Sequence, residues 1–539
     1  MVSMNLQSLK DKKIWTDMGV TLPGFDQEAV AGKTAEAPIW LHFGAGNIFR
    51  GFVARLQQDL LNQGLTDKGV IAADTFDYEI IDRIYRPFDN QTLMVDLKPS
   101  GDVGYEIIGS VTEARKADPS QPDEMARLRQ IASSSSLQLM SFTITEKGYA
   151  LRNMEGKLLP VVESDLEEGP EKARHAMSIV CALLWERFQK NAAPIALASM
   201  DNCSHNGEKL QSAIFEIAEG WRIRKFVTSE FLDYIRDEKQ VAFPWSMIDK
   251  ITPRPDASVQ EMIEKMGISD MAPITTSKGT FIAPFVNAEV PQYLVMEDTF
   301  PNGRPAFEKA GVYMTDRETV NKSERMKVTT CLNPLHTSLA IFGCLLGYNR
   351  ISEEMKNPLL VTLIKKLGYL EGLPVVTDPK ILDPKAFIRE VIEERLPNPY
   401  IPDAPQRIAT DTSLKVPIRF GETIKAYIAD PDLNVTSLTY IPLTIAGWFR
   451  YLLGIDDNGD PMPISSDPLL SSLQDQLKNV YFGNPDSCDG QLNGLLSNKE
   501  LFATDLVACG LAPKIESMLS EMLAGPGAVK RVLKMYVGE

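Results

Sequence analysis

Within ten residues the chain sets out a lysine, an amide and an imidazole, in the run Lys327-Val-Thr-Thr-Cys-Leu-Asn333-Pro-Leu-His336. Such side chains can exchange a proton and donate hydrogen bonds to a developing negative charge. The run leads into the apolar stretch Ser338 to Tyr348, so periodicity alone gives it a capping or core role. A second candidate is a glycine turn. Pro38-Ile-Trp-Leu-His-Phe43 reads as a buried strand, Gly44-Ala-Gly46-Asn47-Ile-Phe-Arg50 follows, and Phe52, Leu56, Leu60 and Leu61 continue with helical spacing. That order lets backbone N–H groups approach a pyrophosphate at the positive end of a helix. Asp74 closes the next apolar run, 28 positions after Gly46, where a ribose-binding acid is expected. An acid there repels a 2′-phosphate and favours NAD over NADP; the competing reading is a helix cap. Phe49 stands at the place of the third glycine of the usual fingerprint, so the helix is expected to sit differently on its sheet.

Other chemistries lack their residues. The four histidines, His42, His175, His205 and His336, show no ligand spacing, and the six cysteines never form a Cys-x-x-Cys pair, so no metal is expected. Lys and Arg number 56 against 72 Asp and Glu, a net charge of −16, which disfavours a nucleic-acid partner. The start, MVSMNLQSLKDKKIW, has no apolar core of a leader, and the apolar stretch Leu339 to Leu346 is far short of the roughly 20 residues of a membrane span. A cytoplasmic protein without membrane contact is expected.

The 539 residues, 44% apolar and 24% charged, suit two large globular domains. Strand-like runs at Val70 to Ala73, Leu137 to Thr145 and Pro194 to Met200 alternate with helical ones, which implies an α/β domain with a parallel sheet. Beyond about residue 285 helix-compatible segments dominate. The expected division is 1–286, a Rossmann-type dinucleotide-binding domain, and 287–539, a mainly α-helical domain.

Six segments in order resemble the polyol-specific long-chain dehydrogenases, the mannitol dehydrogenase family, whose branches include mannitol-phosphate dehydrogenases and hexuronate reductases. They are Gly44 to Arg50, Thr145-Glu-Lys-Gly-Tyr149, Asp201-Asn-Cys-Ser-His-Asn-Gly207, Phe243-Pro-Trp-Ser-Met-Ile-Asp-Lys-Ile-Thr-Pro253, Glu297-Asp298 with Gly303-Arg-Pro305, and Met326 to His336. The resemblance implies a Rossmann-type domain followed by a helical one, NAD as cofactor and a metal-independent reaction. It implies Lys327 as general acid/base, with Asn333, His336 and Asn202 beside it. Cofactor contacts are implied for Gly44, Gly46, Asn47, Arg50, Asp74, Thr145 and Glu146, and a substrate contact for Asp249. Lys250 replaces the usual arginine of that signature, which keeps the charge and loses the planar fork. The family pattern usually places the asparagine five positions after the lysine, whereas Asn333 follows Lys327 by six. A bulged helical turn is the expected way to absorb the extra residue.

In this family's chemistry the lysine takes or returns the hydroxyl proton, amide and imidazole groups hold the alkoxide, and the nicotinamide carries hydride. Lys415 and Arg419, with Arg407 upstream, offer cations for a carboxylate, against the alternative of a solvated helix end. The expected substrate is a keto-hexuronate, fructuronate or tagaturonate, reduced to mannonate or altronate. Mannitol or another polyol, including a phosphorylated one, is the alternative, and a non-catalytic nucleotide-binding sensor is the alternative of another class. The expected partners are a small sugar acid or polyol and, at most, a second copy of the chain: monomer or homodimer.

Overall fold

A computed structural model describes residues 1–98 and 100–538. The chain forms two compact units, Met1–Asn321 and Lys322–Glu539. The first is built on six parallel strands: β1 (Trp40–Phe43), β2 (Val70–Asp74), β3 (Val111–Lys116), β4 (Leu139–Phe142), β5 (Ile195–Ser199) and β6 (Val241–Ala242). Their spatial order is 3-2-1-4-5-6, that of dinucleotide-binding sheets. β1, β2, β4 and β5 are buried along their whole length, as expected for strands covered on both faces. Alternate residues serve two cores: Leu41 and Phe43 pack on one side, while Trp40 packs on the other. His42 also points into the interior. Its ring nitrogens bond the hydroxyls of Ser141 and Thr143 at 2.6 and 2.8 Å, it stacks on Phe49 at 4.1 Å, and burial lowers its pKa to about 3.

The division at Asn321 and Lys322 lies beyond the 286/287 boundary expected from texture, and it falls inside helix Arg317–Met326. The reason is β-structure that local sequence conceals. Phe285–Glu289 pairs in parallel with Thr92–Leu97, and Tyr293–Glu297 lies between Ser246–Asp249 and Tyr313–Thr315. Those pairings bind 285–315 to the first unit, because a strand's hydrogen bonds must be satisfied by its neighbours.

The second unit is helical, as expected. Its central helix Asn333–Leu345 is almost wholly buried from Leu335 onward, as is Tyr440–Leu452. The helical run Arg317–Leu345 is long and apolar enough to cross a membrane, yet 78% of its most apolar window is buried in the fold, as in a core helix.

Buried cations in both units serve as backbone clamps. Arg187, at 0% exposure, donates to the carbonyls of Ala132, Ser134, Leu137, Ala193 and Pro194 and so gathers the chain ends around β4 and β5. Replacing it leaves five carbonyls without their donor. Arg187→Met is expected to lower stability by about 3 kcal/mol or more, seen as a lower urea midpoint; an unchanged midpoint would refute the clamp.

Candidate active site

At the carboxyl end of β1 the chain turns through Gly44 and Gly46 into a π-turn, Phe49–Val53, that continues as helix α1 (Ala54–Asn62). Gly44 has φ +103°, and a β-carbon there would lie 2.2 Å from the Thr143 carbonyl oxygen, so only glycine fits. Around Gly46 nothing lies within 4 Å of such a carbon, which leaves open space at the start of the helix. Close packing behind the turn falls to Gly51, whose β-carbon would meet Val286 at 2.8 Å. Phe49 is thus free to stack on His42, and Gly51 does the work of the displaced third glycine.

Gly44, Gly46, Asp74 and Thr145 line one cleft of about 600 Å³, together with Thr143 and Phe76. Both Asp74 oxygens are engaged by backbone: Oδ2 accepts from Ala45 N at 3.1 Å, and Oδ1 accepts from Phe76 N and Asp77 N at 2.8 and 2.7 Å. Burial raises its pKa, opposed by those three N–H groups. Asp74 therefore braces the glycine turn as well as bordering the cleft. Asn47 and Arg50 bind each other: Arg50 donates to Asn47 Oδ1 at 2.7 Å and to the Ala283 carbonyl at 2.8 Å, and burial lowers its pKa to about 10. Open space at a helix start, a glycine turn and a polar-edged cleft fit a dinucleotide pyrophosphate.

Thr145 opens helix α2 (Thr145–Tyr149) in the left-handed region, φ +64°. A residue not anticipated from sequence holds it there. Asp201, just past β5, accepts from Ile144 N at 2.9 Å, Thr145 N at 3.0 Å and the Tyr149 hydroxyl at 2.6 Å. It joins the loops after β4 and β5; burial raises its pKa, against the pull of Tyr149 and the two amides. The neighbouring Asn202 is exposed. Glu146 points away from the cleft, pairs with Lys209 and borders a separate groove. Asp249 ends strand Ser246–Asp249, nearly buried, and Lys250 beside it donates to the Glu289 carbonyl.

In the second unit the lysine run forms three pieces: helix α3 (Arg317–Met326), a π-turn at Lys327–Cys331, and helix α4 (Asn333–Leu345). Leu332 N donates to the Lys327 carbonyl at 3.1 Å, the i to i+5 bond that defines the bulge. The extra residue is absorbed there, between Lys327 and Asn333. Lys327 is 3% exposed; Asn333 is half-buried in the first turn of α4, and its carbonyl accepts from the Thr337 hydroxyl at 2.9 Å. His336 Nε2 lies 2.8 Å from Asp403 Oδ2. Burial would raise the Asp403 pKa, but His336 and Arg407 hold it below the usual range. Arg419 donates to the Thr337 hydroxyl, and burial lowers its pKa to about 10; no carboxylate pairs with it among the described residues. Lys415 instead donates to the carbonyls of Ile408 and Thr410, with its pKa lowered to about 8 by burial and then by Arg419. Its amine is spent largely on backbone.

The two glycines separate folding from binding. Gly44→Ala is expected to cost about 3 kcal/mol or more through strain and overlap. Gly46→Ala should keep the parent Tm and weaken NADH binding about tenfold, measured by fluorescence titration. Unweakened binding by Gly46→Ala would put the pyrophosphate elsewhere.

Comparison with known proteins agrees with this geometry. The mannitol dehydrogenase Rossmann domain matches residues 38–309 and the mannitol dehydrogenase C-terminal domain matches residues 319–523. A D-mannonate oxidoreductase of Thermotoga maritima is 54% identical over 537 residues, 99% of each chain. A mannitol 2-dehydrogenase of Aspergillus fumigatus is 28% identical over 86% of each chain. The solved mannitol 2-dehydrogenase of Pseudomonas fluorescens, a ternary complex with NAD and D-mannitol, is 25% identical over 99% of each chain with a TM-score of 0.69. With both domains matched in order on a sheet, glycine turn and lysine helix of this form, the chain belongs to the mannitol dehydrogenase family.

Proposed function

We propose that the protein interconverts D-mannonate and its keto-hexuronate, fructuronate, as a soluble, cytoplasmic NAD-dependent dehydrogenase. The observation that carries the substrate is the full-length 54% identity to a D-mannonate oxidoreductase. Arg419 supports it from within this chain: a half-buried guanidinium, tied through Thr337 to the helix of Asn333 and His336, with no carboxylate partner among the described residues. A hexonate carboxylate supplies the missing anion in a charge-assisted contact, whereas a neutral polyol leaves the cation unpaired.

Oxidation of a secondary alcohol removes the hydroxyl proton as hydride leaves carbon. NAD supplies the hydride acceptor when bound, and the open turn at Gly46 and the cleft beside Thr145 are where this chain would hold it. Lys327 exchanges the hydroxyl proton from a buried position, out of reach of bulk water. The Asn333 amide donates to the alkoxide oxygen, and His336, with Nε2 turned to Asp403, offers Nδ1 to the same oxygen.

A panel read by NADH absorbance tests this: D-mannonate, D-altronate, D-mannitol and mannitol 1-phosphate. D-mannonate is expected to turn over fastest, with Lys327→Ala lowering kcat about 10²- to 10⁴-fold. Arg419→Met should raise KM for mannonate about tenfold or more with little change for mannitol. Faster turnover of mannitol than of mannonate would overturn the substrate assignment.

A further inference from the structure

His336 and Gly343 are seven residues apart on α4 and so share one face of it. Against Gly343 lies the carboxyl of Glu354, the last residue of helix α5 (Ile351–Glu354). A β-carbon at position 343 would be 1.9 Å from Glu354 Oε1, so glycine is what admits the carboxyl. Glu354 is fully buried, and neither of its oxygens has a hydrogen-bond partner. The titratable groups that face it are Asp403 and, from α4, Cys344; no cation pairs with it among the described residues. Asp403 also contacts His336 and Arg407, and its carbonyl accepts from Ile351 N at 2.9 Å, at the start of α5. Glu354, Asp403 and His336 thus form a row along one face of α4.

An unpaired carboxyl in such a place keeps its proton, because burial penalises the anion and the Asp403 charge penalises it further. We propose that Glu354 is a positioning residue for the reaction: by remaining a neutral acid it leaves a single negative charge behind His336 and so fixes the charge and orientation of the imidazole. This rests on the role given above to His336. Were Glu354 to release its proton to water, two carboxylates would share one buried space beside His336, and the imbalance would disturb the imidazole that Asp403 contacts. No other bond changes.

With only four histidines in the chain, nitrogen NMR of histidine-labelled protein follows His336 directly. In the parent protein its ring-nitrogen shifts are expected to report a step above the ordinary carboxylate range, where Glu354 ionises. Glu354→Gln, of the same shape and permanently neutral, is expected to remove that step and the matching limb of the kcat/KM profile, while staying within about twofold of the parent at neutral pH. Glu354→Met serves if the amide does not fit against Gly343. Stability gives a further readout. An acid with a raised folded pKa binds its proton more tightly when folded, so its contribution falls as pH rises from the ordinary carboxylate range through that pKa. Glu354→Gln should flatten the decline of Tm over that window. Identical His336 titrations in the two proteins, or equal Tm slopes, would overturn the proposal. Loss of that step with no turnover of mannonate by either protein would uphold it while rejecting the substrate.

Discussion

Pro334 has no N–H to give, and the helix that carries Lys327, Asn333 and His336 is arranged around that missing donor. In a continuous α-helix residue 334 would donate to the Thr330 carbonyl, and the proline ring would collide with it. Instead the chain closes a π-turn from Leu332 N to the Lys327 carbonyl, Leu332 leaves the helical region at φ −128°, and α4 begins again with proline in its first turn, where no donor is required. An i to i+5 turn holds one residue more than an α-turn. The six-residue step from Lys327 to Asn333 therefore regains the angular offset that five residues have in an α-helix, about 140° at about 100° per residue. The departure from the family spacing and the device that accommodates it are one feature, seen once as a count and once as a hydrogen bond.

The first unit solves its positioning problem with backbone and carboxylates. Gly44 brings the chain against Thr143, Asp74 ties the turn to the loop after β2, and Asp201 ties the loop after β4 to that after β5. Each acid accepts from two or more amides, so each fixes a loop at the carboxyl end of the sheet, and Asp74 does so from the edge of the cleft itself. That explains a double reading of Asp74 as ribose acid or cap: with both oxygens on amides, it is at least the brace, and any ribose contact must share them.

The parts legible in the sequence were those written in local pattern. Strand, glycine turn, helix and a closing acid at the right interval yielded the parallel sheet and the positions of Gly44, Gly46 and Asp74 on the cleft wall, while Thr145 came only from the family resemblance. Long-range pairing left no such trace. Phe285–Glu289 finds its partner nearly two hundred residues earlier, so helical texture after 285 concealed strands that belong to the first unit. Buried polar residues were equally hidden. Nothing in spacing marks Arg187 as a five-carbonyl clamp, Gly51 as the packing glycine, Asp201 as a loop brace or Lys415 as a backbone donor, because those roles are fixed by which atoms folding brings near. Gly343 with Glu354 is the same case: two residues eleven apart, unremarkable in sequence, interlocked in space.

The second unit holds two groups of opposite kind, half-buried Arg419 and fully buried Glu354, without partners of opposite charge among the described residues. Arg419 keeps its charge, since a guanidinium holds its proton even when burial lowers its pKa to about 10. Glu354 is pushed the other way, since burial and then the Asp403 charge raise its pKa and favour the neutral acid. The asymmetry has a direction. An acid made neutral adds no net charge to the local field, whereas Arg419 at Thr337 and Asp403 at His336 bring charge to neighbouring positions of α4. A partly buried cation without a counter-charge costs stability, and an anion bound to it in the folded state would return part of that cost as ligand-linked stabilisation. On the role proposed for Arg419 a neutral polyol of the same size returns none, so a sugar acid and a sugar alcohol would be told apart through the stability of the unliganded fold as well as at the reacting carbon.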